Sequence, residues 1–322
     1  MTATKQRDTS LDIICGLLII HMILEHIFFS FVLLRDSGAF QWERHILFFF
    51  MPWFFFKNGM FYKQNCELKI GMIKDFHRLI VPFLVWSLIG EVCWCLSEYL
   101  NGNFNYFESL KSLPINGHTK GNPALWFLLS LFMVRQLFSV VSRSKVIVTF
   151  VAIISLIVPY LCWKFDYNKY LIVSHTMLGF FFFTGGSYLR EKQRLVHVIA
   201  LAGVTLFIAC LFSRPWMDMR ANIITDPYLI GAVAAMAAIL LVNNILPPPI
   251  CRNPIGRVLA YIGKDSMSFY VVHWPLLWFL RIFLKRCMGI TDSWDLVWCM
   301  IASAAVLLPL TVTLLKRYTK LL

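Results

Sequence analysis

The sequence predicts an all-α, polytopic integral membrane protein in which residues 1–322 form a single transmembrane domain. Hydrophobic residues make up 59% of the 322 residues and charged residues only 15%, whereas soluble domains average about 25% charged residues. The mean hydropathy is +0.68. Apolar runs of about 20 residues, the length that crosses a bilayer as a helix, recur along the whole chain. These features exclude a soluble globular domain, a coiled coil and a disordered chain.

On this criterion we predict about ten transmembrane helices. They lie near residues 11–34, 45–63, 77–100, 122–141, 145–163, 171–190, 195–213, 225–246, 258–283 and 293–315. The runs 227–251 and 296–315 contain no charged residue and predict a helix most strongly. Pro52 falls inside the second span, so we expect a kink there.

The distribution of basic residues predicts the orientation of the chain. An even number of spans places both chain ends on one side of the membrane. Lys and Arg are more numerous in the segments that are cytoplasmic if the N-terminus is inside, as the positive-inside rule requires. We therefore predict N-in and C-in. The net charge of +13, from 30 Lys and Arg against 17 Asp and Glu, is interpreted as this orientation signal, and no nucleic-acid partner is expected.

Several kinds of site have no support in the sequence. The 9 cysteines show no C-x-x-C or zinc spacing, so no metal site is predicted. The chain contains no G-x-x-x-x-G-K-[ST], no G-x-G-x-x-G and no H-E-x-x-H. ATP-driven pumping, dinucleotide chemistry and zinc-dependent hydrolysis are therefore not indicated.

The first predicted helix holds the densest set of ionisable residues: Arg7, Asp12, His21, Glu25 and His26. Such groups are costly inside a bilayer, so each is a functional candidate. Helical geometry places Asp12 and His26 about 40° apart around the axis and about 21 Å apart along it. We therefore expect His26 to lie deep in the membrane, and Asp12 and Arg7 to lie near the cytoplasmic end of the same helix. His21 and Glu25, at i and i+4, form either a functional pair or an ordinary structural one.

The pattern Arg7-x4-Asp12-x3-Gly16-x9-His26 resembles the first-helix signature of the acyltransferase-3 membrane family. Four further segments resemble family motifs in the same order: Phe50-Met51-Pro52 through Asn58-Gly59, Arg78-x3-Pro82-Phe83, Leu125-Trp126-Phe127-Leu128, and Gly263-Lys264-Asp265-Ser266 with Tyr270 and His273-Trp274-Pro275. Together they run from residue 7 to about residue 280. Cys15 and Asn58 depart from the family pattern, which usually has a basic residue and Ser at these positions.

The resemblance implies transfer of an acyl group, usually acetyl, from cytoplasmic acetyl-CoA (acyl-CoA) to a hydroxyl on a glycan or lipid-linked sugar. It also implies a multi-pass protein of the bacterial cytoplasmic (inner) membrane, in contact with membrane lipids. His26 matches the family's first-helix histidine and is expected to be the general base, since His is the side chain best suited to proton transfer at neutral pH. The oligomeric state is left open.

The other candidates have narrower roles. Asp12 and Glu25 are the further catalytic candidates, with Asp12 orienting Arg7 near the donor entrance. Arg7 and Arg78 are the candidates for binding the phosphates of acyl-CoA, because a guanidinium grips phosphate through two hydrogen bonds. The candidates for binding the acceptor or the acyl group are Trp126, Ser266, Tyr270 and His273.

Alternative interpretations remain open at this stage. Arg78 could serve only the positive-inside rule, and Trp126, Tyr270 and His273 could serve only helix packing. A secondary transporter or flippase could use Asp12, His21, Glu25, His26 and His273 as a proton relay. A third alternative is a subunit that has lost catalytic activity and only binds a glycan or acyl donor.

Overall fold

The computed structural model describes residues 9–32, 45–63, 68–100, 102, 108–167, 170–190, 192, 195–212, 216–224, 227–245 and 253–318. These residues are almost entirely helical, and their one sheet is a two-stranded antiparallel hairpin. The predicted all-α class is confirmed. Arg7 lies outside the described residues.

The described part of the first half of the chain contains the α-helices α1 Thr9–Glu25, α2 Phe50–Met60, α3 Leu68–Asp75, α4 Val81–Leu100, α5 Glu108–Lys111, α6 Leu113–Asn116, α7 Trp126–Val141 and α8 Lys145–Lys164. π-Helical turns extend α1 over His26–Val32 and join α3 to α4 over Phe76–Ile80, and a 3-10 turn, Pro123–Leu125, precedes α7.

The second half contains α9 Leu171–Leu189, α10 Val196–Phe212, β1 Met217–Asp218, β2 Ile223–Ile224, α11 Tyr228–Ile245, α12 Pro254–Lys264, α13 Ser266–Arg286 and α14 Ser293–Tyr318. The two strands pair antiparallel, with Met217 opposite Ile224 and Asp218 opposite Ile223. The resulting hairpin lies in the connection between the apolar helices α10 and α11.

Six helical segments among the described residues are long and apolar enough to cross a membrane. They are Thr9–Val32, Leu68–Leu100, Pro123–Val141, Lys145–Lys164, Ser266–Arg286 and Ser293–Tyr318. The apolar segments Val196–Leu211 and Tyr228–Asn244 are shorter. These segments support a multi-pass membrane protein. They do not confirm the predicted ten membrane-spanning helices among the described residues.

The prediction of a single helix over the ninth span, 258–283, is wrong. The helix is interrupted at Asp265, which separates α12 from α13. Gly263 packs against the backbone of Asp12, and Gly16 packs against the backbone of Leu259, so α12 runs antiparallel to α1. With 11 residues, α12 is about 16 Å long, half the thickness of a hydrocarbon core. The glycines allow the close approach, since a Cβ on either would strike the facing backbone.

Pro52 does not kink a helix. Because α2 begins at Phe50, Pro52 is the third residue of the helix. A proline in the first turn removes an N–H that has no partner within the helix. The predicted kink is therefore replaced by a helix start.

The beginning of α1 and the end of α14 lie at the same end of the bundle. Asp12 packs against Gly263, and Asp265, two residues further on, forms an ion pair with Lys316 in the last turn of α14. We call this the Asp265 end. From it, α1 and α13 run side by side, and the candidate site lies between them.

Candidate active site

One face of α1 and its π-helical extension lines two cavities placed end to end. Cys15 and Ile19 line the larger cavity, and Met22, His26 and Ser30 line the smaller. These five residues follow each other at intervals of three or four, which is the spacing of a single helix face. The rise of a helix places Cys15 and His26 about 16 Å apart along the axis.

The larger cavity, at the Asp265 end, has a volume of about 620 Å³ and is strongly basic. Among the residues that line it, six are cations, Lys57, Lys63, Arg78, Arg135, Lys264 and Lys316, and one is a carboxylate, Asp265. The cations come from five different segments of the chain, which only the tertiary fold brings together. We call this space the basic cavity.

Two of the six cations are neutralised within the protein. Lys316 pairs with Asp265. Arg135 lies 2.8 Å from Asp75 Oδ1 and also over the ring of Tyr62. Gln136 Nε2 donates to the other oxygen of Asp75, which holds that buried carboxylate in place.

The other four cations, Lys57, Lys63, Arg78 and Lys264, have no carboxylate within ion-pair distance in the part of the chain that the structure describes. Lys57 Nζ lies 5.1 Å above the ring of Trp53, a favourable contact that leaves its charge uncompensated. The basic cavity therefore carries a net positive charge and suits an anionic ligand.

The smaller cavity, which we call the His26 cavity, has a volume of about 90 Å³. Its lining comes from α1, α2, the Pro123–Leu125 turn, α7, α13 and the hairpin. The polar and aromatic lining residues are Glu25, His26, Ser30, Trp126, Asp218, Arg220 and Tyr270. It brings acidic, basic and aromatic side chains from several segments together around His26.

His26 stands where α1 changes from α-helical to π-helical winding, a distortion frequently found at functional sites. Its Nδ1 is 3.5 Å from Ser30 Oγ. The ring stacks on His273, with centroids 5.2 Å apart and planes at 17°, and meets the ring of Trp274 edge-on at 5.0 Å. These contacts fix the plane of the imidazole inside the cavity.

The tautomer of His273 follows from its hydrogen bond. Its Nδ1 lies 2.6 Å from the carbonyl oxygen of Tyr270. Because a carbonyl can only accept, Nδ1 must carry the hydrogen. In the neutral ring Nε2 is then an acceptor, and this buried atom has no partner among the described residues.

The hairpin forms one wall of the His26 cavity. His175 holds it in place. His175 Nε2 donates to the carbonyl oxygen of Arg220, and its ring contacts Trp126 with centroids 4.6 Å apart. Asp218 Oδ1 accepts from the backbone N–H of Ala221, which closes the turn. Asp218 and Arg220 are site residues that the sequence analysis missed, because a short hairpin between two apolar helices has no signal in the sequence.

The structure brings most of the predicted site residues together. Glu25, His26 and Trp126 line the His26 cavity, Arg78 and Ser266 line the basic cavity, and Tyr270 lines both. His273 stacks behind His26. Asp12 is buried against α12 and lines neither of these two cavities.

The basic cavity also contains four cations, Lys57, Lys63, Arg135 and Lys316, that the sequence analysis did not single out. Lys57, Lys63 and Lys316 stand at or near the end of an apolar run, where positive-inside charge is the ordinary explanation. Arg135 lies inside the predicted span 122–141. Nothing in the local sequence distinguishes the first three from other basic residues that end apolar runs, and nothing local shows what Arg135 faces.

No curated protein and no solved structure matches the chain significantly. The model of one protein family, described as an acyltransferase domain, matches residues 8–316, which is nearly the whole chain. The match covers both cavities and every helix that lines them. This protein belongs to the acyltransferase-3 family of membrane acyltransferases.

Proposed function

We propose that this protein is an integral-membrane O-acyltransferase. It transfers an acetyl or similar short acyl group from acyl-CoA to a hydroxyl of a cell-envelope glycan or lipid-linked sugar. The observation that carries the proposal is the placement of His26 in a small polar cavity directly beside a large basic one. Such a pair suits a reaction in which an anionic donor and a neutral alcohol approach one base from different sides.

The basic cavity is the proposed donor site. Lys57, Lys63, Arg78 and Lys264 provide uncompensated positive charge for the phosphates of acyl-CoA. The same cavity has an apolar inner wall, formed in part by Ile19, that can take the pantetheine arm. In this proposal the Asp265 end faces the cytoplasm, where acyl-CoA is made, with both chain ends inside and the protein in the bacterial inner membrane.

His26 acts as the general base. It accepts the proton of the acceptor hydroxyl while the hydroxyl oxygen bonds to the thioester carbonyl carbon. The bond between that carbon and the CoA sulfur then breaks, and the sulfur leaves with the electron pair and takes up a proton. Stacking on His273 and the edge contact with Trp274 keep the imidazole oriented for this transfer.

The acceptor site is proposed on the hairpin side of the His26 cavity. Trp126 offers an aromatic surface, on which the apolar face of a sugar ring can pack. Glu25, Asp218 and Arg220 offer hydrogen-bonding partners for neighbouring hydroxyls. A transporter or flippase is not favoured, because the family to which the chain belongs is one of acyltransferases.

The test is incubation of the purified protein with radiolabelled acetyl-CoA and cell-envelope fractions. We expect label to appear in a glycan or sugar-containing component and free CoA to be released in the same amount. Saturable substrate uptake into proteoliposomes without consumption of acyl-CoA would instead support a transporter. Absence of label together with retention of intact acyl-CoA would support a subunit that only binds its ligand.

A further inference from the structure

The basic cavity and the His26 cavity meet at two side chains, Met51 and Tyr270. Both residues line both cavities, and both are buried. On α1, Ile19 is the last residue that lines the basic cavity and Met22 the first that lines the His26 cavity. Three residues of helix correspond to about 4.5 Å, so one layer of side chains separates the two spaces.

Tyr270 is held in this layer from two sides. Its hydroxyl donates to the carbonyl oxygen of Ala124, in the 3-10 turn before α7. Its ring meets the edge of Phe127, with centroids 5.7 Å apart. Rotation of the side chain toward either cavity requires the hydrogen bond with Ala124 to break.

Met51 is the flexible half of the layer. It occupies the first turn of α2, and its unbranched thioether chain can change conformation at little cost. Beyond it the His26 cavity has a volume of only about 90 Å³, against about 620 Å³ for the basic cavity. A short acyl group fits such a space, but a long chain does not.

We propose that Met51 and Tyr270 form a selectivity partition: they let a short acyl group pass from the basic cavity to His26 and exclude longer acyl chains. The inference rests on the proposed function, because it assigns the basic cavity to the donor. It adds that acyl-chain length is selected at this layer. Truncation of Met51 widens the connection between the two cavities. Removal of the Tyr270 hydroxyl removes the hydrogen bond to Ala124, so that the Tyr270 ring can rotate away.

The first test measures acyl-chain selectivity. Met51→Ala is expected to raise kcat/KM for hexanoyl-CoA relative to acetyl-CoA by about tenfold or more, since each methylene accommodated in a pocket is worth about that factor. The matched control is Met267→Ala, because Met267 lines the basic cavity but not the His26 cavity. An unchanged ratio in Met51→Ala, or an equal rise in Met267→Ala, would overturn the proposal.

The second test does not depend on catalysis. Ser30→Cys places a thiol in the His26 cavity, and a water-soluble maleimide is supplied from the Asp265 side in oriented vesicles. Modification at residue 30 is measured by peptide mass spectrometry, which distinguishes it from the native cysteines. Adding Tyr270→Phe should raise the rate of modification from that side about tenfold, because one buried hydrogen bond no longer holds the partition closed.

The control thiol for this experiment is Asn58→Cys, which lies in the basic cavity and should react at the same rate with or without Tyr270→Phe. A rate at residue 30 that Tyr270→Phe leaves unchanged would overturn the partition, even if acyl transfer is established. If Tyr270→Phe fails to fold, Met51→Ala takes its place with the same expectation. If the rate rises but acyl-CoA is never consumed, the partition stands and the proposed function fails.

Discussion

His26 and His273 lie with their imidazole planes 17° apart and their centroids separated by 5.2 Å. The hydrogen bond from His273 Nδ1 to the Tyr270 carbonyl fixes the second ring, and the second ring supports the first. The proposed base is thus held by a neighbour on another helix, 247 positions further along the chain by the residue numbers in the sequence. In the proposed mechanism His26 is therefore the base, and His273 is the residue that positions it.

His26→Ala is expected to reduce acyl transfer by about 10² to 10⁴-fold, the usual contribution of a general base. Transfer of label from acetyl-CoA measures the loss. The matched control is His197→Ala, because His197 is exposed on α10 and lines neither cavity. Full activity in the His26 variant would remove this residue from the mechanism.

His273→Ala is expected to lower kcat about fivefold and to leave KM for acyl-CoA nearly unchanged. The reason is that a stacked ring pair is worth about 1 kcal/mol, while His273 is absent from the lining of the basic cavity. Separate kcat and KM values, with thermal stability in detergent, make the measurement. A rise in KM at constant kcat would contradict the positioning role.

Arg78→Ala is expected to weaken binding of acyl-CoA about ten- to hundredfold, because a hydrogen bond to a charged group is worth about 1.5–3 kcal/mol. Equilibrium binding of acyl-CoA at two salt concentrations tests this, since salt screens exposed charges. Lys285→Ala is the control, because Lys285 is an exposed cation in the last turn of α13, away from the basic cavity. Equal losses in both variants would show only a general charge effect.

Gly263→Ala is expected to destabilise the protein by about 1–3 kcal/mol, because the added Cβ would strike the backbone of Asp12 and Gly16. Thermal unfolding in detergent measures the change. Gly203→Ala on α10 is the matched control, since the nearest atom to its Cβ is Leu241 Cδ2 at 3.9 Å, and a helical Gly→Ala change that meets no close neighbour is neutral or stabilising. Equal stability of the two variants would contradict the close contact of α12 with α1.

His118 makes stability depend on pH. It lies between α6 and the Pro123–Leu125 turn, and burial lowers its pKa from 6.5 to about 4, while Nδ1 donates to the Thr119 carbonyl. The unfolded chain therefore binds more protons than the folded one between these values. The contribution is present above pH 6.5 and is lost as the pH falls toward 4, by about 3 kcal/mol at most.

The measurement is the melting temperature between pH 7 and pH 4 for the native protein and for His118→Asn. The Asn amide can replace the Nδ1–H donor but does not titrate in this range. We expect the variant to lose less stability on acidification than the native protein. Identical pH profiles would mean that the pKa of His118 is the same in the folded and the unfolded chain.

The helical class and most helix positions could be predicted from hydrophobic run length, because a bilayer-spanning helix needs about 20 apolar residues wherever it packs. The second and ninth spans show the limit of this rule. Pro52 begins α2 instead of bending it, and Asp265 separates two helices that run in opposite directions along α1. Hydropathy does not distinguish a helix that crosses from one that turns back, because both have the same apolar composition.

The candidate site divides in the same way. The sequence by itself predicted that His26 lies on the first helix, about 21 Å along its axis from Asp12, because helical rise and periodicity are local properties of the chain. Only the tertiary structure decided that His273 stacks on it, that Arg220 and Asp218 line its cavity, and that six cations from five segments share one cavity. These groupings depend on distances between segments far apart in the chain, and no local pattern encodes such distances.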